Sequence, residues 1–527
     1  MSKEITLGEF LCGILPRLRS NRDLPQWPPD CFALCLSVLK RTGAYVRVFS
    51  KWPPGEHDEG SLDKWVADTQ ELGAKWRRSW IFDQPFMDLN TAWQEVIESF
   101  DLPLKHVNWQ NPLCDTLIRL TAVADEASES VGAPLLDEID AADRLLKVAM
   151  FYLQSFKTLC NEIDGTRLRV LPRMHTPQSG LTERSLSLYL SLYDPCEVVP
   201  EWLDSFFIEP ESFNLLLIPW PFEVLVKQFR DATDSALTRL PEDFGFFAFD
   251  IEPGQGLTDS VMALYTEATR KLGRVDGIVL PEMAVSAEQF GALRAKLPQD
   301  CFIVSGVGNR GRGEERGTNE VRLSFPPHEE VVQKKHHPWK LTESQVVQYG
   351  LGGVLSPSIY WWEYAEFTDR NLKFITISAD LVLAVLICED LARPDPVANL
   401  VRTVGPNLVV ALLMDGPQTK ERWAARYATA LADDPGCSVL SLTSRGMAQM
   451  SRPMAGPNRS RVIAIWKDRF AAAQEIELTE GCDAVAISLS TRYEEEFTAD
   501  GRGDEGNAAY PVLSGVHPIR LKVDEGR

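Results

Sequence analysis

A set of short, mostly apolar runs limits what this chain can become. They are "DGIVL", "CFIVSGVG", "LVLAVLIC", "NLVVALLM", "CSVLSLTS" and "DAVAISLS", all between residues 276 and 490. A strand with one wet face alternates apolar and polar side chains. These runs do not, so both faces of each strand must be covered. Helical patterns such as "GLTDSVMALYTEATRKLG" and "ERWAARYATALADD" fall between them. Strands that alternate with helices predict an α/β layered domain with covered sheets. "NLLLIPWP", "FGFFAFD" and "EVRLSF" read as further strands.

The first two hundred residues have another texture. "PPDCFALCLSVLKRTG", "SLDKWVADTQELGAKWRRSW" and Pro134 to Ile163 carry apolar residues at helical spacing. Half of the 14 tryptophans precede residue 110, as expected of packing anchors between short helices. The predicted division is a mostly helical domain of unassigned role over 1–205, a connecting segment or first strand over 206–242, and the layered domain over 243–527. "TADGRGDEGNA" (498–508) reads as a polar, glycine-rich loop, and "GVGNRGRGEERG" as a hairpin loop.

Charge and cysteine usage exclude several classes. A formal net charge of −21 argues against a nucleic-acid surface, which needs stripes of Lys and Arg. No run of 18 apolar residues occurs, and the first twenty residues lack a signal-peptide pattern, so a cytoplasmic protein is expected. Ten cysteines without Cys-x-x-Cys pairs imply reduced thiols and no structural zinc.

Three segments end in reactive residues. "DGIVLPEMAVS" delivers Glu282, "EVVQKKHHPWKLTE" offers Lys334, Lys335, Lys340 and Glu343, and "VLAVLICEDLARP" delivers Cys388. By itself Cys388 reads as a small core hydrophobe. With the other two it makes a set capable of acyl transfer. The thiol attacks an electrophilic carbon, a carboxylate takes the thiol proton, and an ammonium stabilises the charge that develops. His336 and His337 are adjacent on an extended chain and face opposite ways, so a shared metal ion is not expected.

In order and context these segments resemble the nitrilase (carbon–nitrogen hydrolase) superfamily over roughly residues 243–490. The resemblance rests on "IVLPEMAVS", on Asn319 ahead of the lysine segment, and on Cys388 followed by Asp390 and Pro394. It implies an α-β-β-α sandwich and a Glu282–Lys335–Cys388 triad. Lys335 is favoured by register with Pro338, and Lys334 would face the other way. The resemblance also implies Glu343 as a second acid that positions the lysine or the attacking water, the backbone N–H of Glu389 in an oxyanion site, and Asp415 at the substrate pocket. The Glu389 and Asp390 carboxylates are expected to point away from the thiol, whose ionisation they would oppose.

The implied activity is hydrolysis of a small amide or nitrile through a thioester, without metal or organic cofactor, in a homo-oligomer. Cys388-Glu389-Asp390 resembles the glutaminase domains of glutamine-dependent NAD synthetases, yet no Ser-Gly-Gly pyrophosphatase loop occurs. Two alternatives stand beside hydrolysis. One is amide-nitrogen or acyl transfer on the same triad. The other is a non-catalytic scaffold, with the helical region docking a protein partner, as in some bacterial defence assemblies.

Overall fold

A computed structural model describes residues 4–521 except 51, 56–59, 133–142, 178–179, 196–197, 206–212, 237–240, 253, 255, 310–315, 369 and 452–459. Two seven-stranded sheets dominate it. The first runs, in spatial order, His328–Lys334, Thr318–Phe325, Phe302–Asn309, Gly277–Val285, Phe213–Leu217, Ala484–Glu494 and Ala508–Ile519. The second runs Gln474–Glu477, Val462–Lys467, Ser438–Thr443, Leu408–Leu413, Leu381–Ile387, Asn371–Ser378 and Val199–Asp204. The central pairs of both sheets are parallel.

The strand period of two sorts the core into layers. In the first sheet Leu216, Ile278, Leu280 and Ile303 pack under the helices Leu257–Leu272 and Ala287–Lys296. Their neighbours Leu215, Leu217, Val279 and Val304 join the core that also holds Leu383, Val385 and Val410 of the second sheet. The helix Trp423–Asp433 brings Ala424, Ala428 and Leu431 to that second sheet. The result is the expected α-β-β-α sandwich.

Two predicted features change. "FGFFAFD" does form a strand, Phe244–Phe249, but in a separate four-stranded sheet with Phe229–Asp231, Tyr360–Glu363 and Lys340–Leu341. The second sheet also takes a strand from the region read as mostly helical, while the first takes the strand expected within 206–242. Val199–Asp204 pairs with Asn371–Ser378, and Phe213–Leu217 lies between Gly277–Val285 and Ala484–Glu494. Trp202 seals the first of these junctions, buried and donating to Thr376 Oγ1 at 2.9 Å.

The N-terminal region is helical: Pro28–Thr42, Ser61–Ile81, Leu113–Glu126 and Arg144–Phe156 are its longer elements. Pro28 starts the first of these, and Gly43, at φ 71°, ends it in a left-handed cap. The long pattern from Pro134 begins outside the described residues, and its described helix opens on Asp143, which caps the Leu145 N–H at 2.9 Å. Trp27, Trp76 and Trp93 are buried, and each indole N–H reaches a backbone carbonyl. The core of this region is continuous with the inter-sheet core. No helix among the described residues is long and apolar enough to cross a membrane.

The loop at 498–508 is the largest departure from its sequence reading. Arg502 is fully buried there. It meets Asp125 at 3.1 Å, Glu126 at 2.7 Å and Asp500 at 3.0 Å, and donates to the Leu186 carbonyl at 2.8 Å. The hairpin loop expected near 310 has its centre outside the described residues.

Candidate active site

Glu282 sits near the end of Gly277–Val285, where strand pairing breaks register after Leu280. Met283, the next residue, has φ 53°. The neighbouring strand passes so close that a Cβ on Gly306 would lie 2.4 Å from Glu282 Cα. Only glycine at that position lets the Glu282 turn and the strand approach this closely.

Lys335 follows His328–Lys334 and is fully buried. Its Nζ lies 2.8 Å from Glu282 Oε1 and 2.7 Å from Glu363 Oε2. Asn319 Nδ2 bridges the same two carboxylates, at 2.8 Å to Glu282 Oε1 and 2.6 Å to Glu363 Oε1. Lys334 turns away to Glu366 at 3.0 Å, and Lys340 lies over the Tyr360 ring.

The expectation for Glu343 is corrected. That residue is exposed in the first turn of the helix Glu343–Gln348. The second carboxylate on the lysine is Glu363, at the end of a strand in the small sheet. A helix and a turn separate it from Lys335, so linear register could not find it. A sequence signal exists in "YWWEYAEF", where one acid interrupts an aromatic strand.

Cys388 directly follows Leu381–Ile387 and is 2 % exposed. Its backbone is left-handed, φ 47° and ψ −107°, a strained conformation for a residue with a Cβ. The short helix Glu389–Ala392 starts after it, so the Glu389 N–H lacks an intrahelical acceptor. The Glu389 side chain pairs with Arg393 at 2.8 Å. Asp390 turns instead to the segment after the lysine.

Asp415 follows Leu408–Leu413, but its carboxylate is already committed. Tyr349 and Trp423 donate to it, and Arg422 Nη2 lies 2.6 Å away. Its oxygens are therefore engaged rather than free. A cavity of about 30 Å³, room for about one water, lies against Glu282, Asn319 and Glu363, with Phe247, Trp339 and Met414 as walls.

The electrostatics of the cluster are consistent with a base beside a neutral thiol. Burial pushes Cys388 well above the ordinary thiol range, Glu282 adds to this, and Lys335 opposes it. Burial raises Glu282 too, against the pull of Lys335 and with the push of Glu363. For Lys335 burial disfavours the charge, but Glu282 and Glu363 outweigh it and hold the ammonium well above its ordinary range. Glu282 Oε2 is buried with no hydrogen-bond partner among the described residues.

No protein-family model and no curated protein matches the chain. Among solved structures it is similar to Saccharomyces cerevisiae Nit3, a member of branch 10 of the nitrilase superfamily, at 12 % identity and TM-score 0.34, over 53 % of this chain and 90 % of that one. It is similar to the Nesterenkonia AN1 amidase at 13 % identity and TM-score 0.33, over 54 % of this chain and 92 % of the other. It also resembles the glutamine-dependent NAD+ synthetase of Acinetobacter baumannii at 12 % identity and TM-score 0.34, over 58 % of this chain and 48 % of the other.

Proposed function

We propose that the protein is a cysteine-dependent carbon–nitrogen hydrolase acting on a small amide or nitrile. The observation that carries this reading is a buried ammonium fixed between two carboxylates, one with an oxygen left over, at the site that also holds a cysteine on a strained turn. The unpaired Glu282 oxygen takes the Cys388 proton as Sγ bonds to the substrate carbon. For an amide the carbonyl π pair moves onto oxygen, where the Lys335 ammonium and the Glu389 N–H stabilise it. The intermediate collapses, the C–N bond breaks, and Glu282 returns the proton to the departing amine. Glu282 then removes a proton from water as the water attacks the thioester, and the carboxylic acid and free thiol form.

Glu363 and Asn319 keep the ammonium and the base in place throughout. They touch Lys335 and Glu282 and leave Glu282 Oε2 free. The experiment is ammonia release from a panel of short amides and nitriles. Wild type is expected to release ammonia and acid in equal amounts, and Cys388→Ala to lose at least about 10³-fold in kcat. Ammonia release unchanged in Cys388→Ala would sink the proposal. Ammonia or amide nitrogen passed to an added amine without free acid would redirect it to transfer chemistry.

A further inference from the structure

Lys335 and Cys388 belong to different sheets. The lysine leaves an edge strand of the first, and the cysteine ends a central strand of the second. No strand ladder fixes one against the other, yet the chemistry needs the ammonium within reach of the atom bonded to Sγ. Among the polar links between the sheets, two flank the lysine. Gln333 donates to the Val385 carbonyl at 2.8 Å and accepts from the Lys373 N–H at 2.9 Å. The second link lies nearer both reacting groups.

Asp390 is two residues after the nucleophile and fully buried. Its carboxylate accepts from the two residues that directly follow the lysine. The His336 N–H lies 3.1 Å from Oδ1, and the His337 N–H 2.9 Å from Oδ1. His336 Nδ1 is 3.2 Å from Oδ2, and His337 Nδ1 is 2.9 Å from Oδ1. A carboxylate can only accept, so both rings carry a proton on Nδ1. Four donors converge on a group that offers about four lone-pair sites.

We propose that Asp390 is the positioning residue for Lys335: it clamps His336 and His337 so that the ammonium stands over Cys388. The inference rests on the hydrolase reading for what the ammonium does, but the clamp is a matter of geometry. Burial opposes the charge on Asp390, yet the hydrogen bonds from His336 and His337 prevail and hold it at about 2. The clamp therefore stays ionised at any pH where the protein is handled. Asn is the informative replacement. It keeps the shape, but turns one acceptor into an N–H donor aimed at N–H donors.

The test reads Lys335 through its effect on the thiol. Among the strongest electrostatic influences on Cys388, Glu282, Glu389 and Asp415 oppose the thiolate and Lys335 favours it. The probe is iodoacetamide, itself a small primary amide. Alkylation of Cys388 in the full-length protein is followed against pH by peptide mass spectrometry. Asp390→Asn is expected to move the midpoint up by about one pH unit, and Lys335→Met by at least as much. The double variant is expected to show no further shift, because both changes remove the same ammonium from the thiol. A purely structural role for Asp390 would give additive shifts.

Kinetics give a second reading, with kcat for amide hydrolysis expected to fall about tenfold or more in Asp390→Asn while KM holds. If Asp390→Asn does not fold, His337→Ala removes one ring donor and is expected to shift the midpoint the same way by less. Additive shifts, a variant profile superimposed on wild type, or a wild-type Cys388 that iodoacetamide never labels would each overturn the proposal. Non-additive shifts in a protein that hydrolyses no amide would instead remove the hydrolase reading and leave the clamp standing.

Discussion

Glu282→Gln is expected to cut kcat for amide hydrolysis by about 10²–10⁴-fold, the range general-base catalysis supplies, with little change in fold. Cys388 is held as a neutral thiol, since burial and the Glu282 charge both raise it and only Lys335 opposes. A neutral thiol needs a base at the moment of attack. Glu282 Oε2 is the unpartnered oxygen, while Oε1 is held by Lys335 and Asn319. A glutamine can keep the contact with Lys335 through its carbonyl, but cannot take the proton.

The same cluster sets the pH dependence. Burial first, and then the Glu363 charge, lift Glu282 above the ordinary carboxylate range, with Lys335 pulling the other way. The base works ionised, so activity is lost as pH falls through this raised value. The acid limb of kcat/KM should therefore lie above that of an ordinary glutamate and disappear in Glu282→Gln. Steady-state rates from pH 4 to 8 check this, and an unchanged limb in the variant would assign it to another group.

Arg502→Met is expected to be the most damaging substitution outside the site. It leaves Asp125 and Asp500, both fully buried, and Glu126, nearly so, without their shared cation. Removing one partner of a buried ion pair costs about 3–5 kcal/mol, against a total stability of about 5–15 kcal/mol. Tm is expected to fall by about 3–5 °C, or soluble protein to be lost. Asp125 also accepts from the N–H groups of Leu188, Tyr189 and Leu190, so the damage spreads from the 498–508 loop into the helical region. Replacing Lys75, whose pair with Glu71 stands in solvent, is the control and should leave Tm unchanged. Equal melting of both variants would contradict this account of how the two regions are joined.

The same contrast explains what the sequence could reveal. The apolar runs were legible because a strand covered on both faces is built mainly of apolar and small residues, with almost no charge. Glu282, Lys335 and Cys388 were legible because each stands where such a run, or the strand beside it, ends. Glu363 was hidden, since its place depends on how a helix and a turn fold the small sheet back over Lys335. The partners of Asp415 were not legible, because nothing in "LLMDGP" shows that Tyr349, Arg422 and Trp423 converge on it.

Arg502 was misread for a related reason. "TADGRGDEG" has the composition of a solvated loop, and its burial depends on carboxylates nearly four hundred positions away, at Asp125 and Glu126. Phe213–Leu217 falls in the segment read as a possible first strand, whereas Val199–Asp204 lies in the region read as helical, because the strand it pairs with, Asn371–Ser378, is far away in sequence. Asp390 was expected to point away from the thiol. Its true partners, the two histidines after Lys335, required the sheets to be set face to face.

The central claim is that Cys388 becomes acylated during turnover. Quenching wild-type protein within the first turnovers on a short amide, then digesting and weighing the peptides, tests it most directly. The account predicts the added mass of the acyl group on the Cys388 peptide, released by hydroxylamine and absent in Cys388→Ala. Acid and ammonia formed at full rate with Cys388 unmodified, or the acyl group found on Cys437 instead, would contradict it.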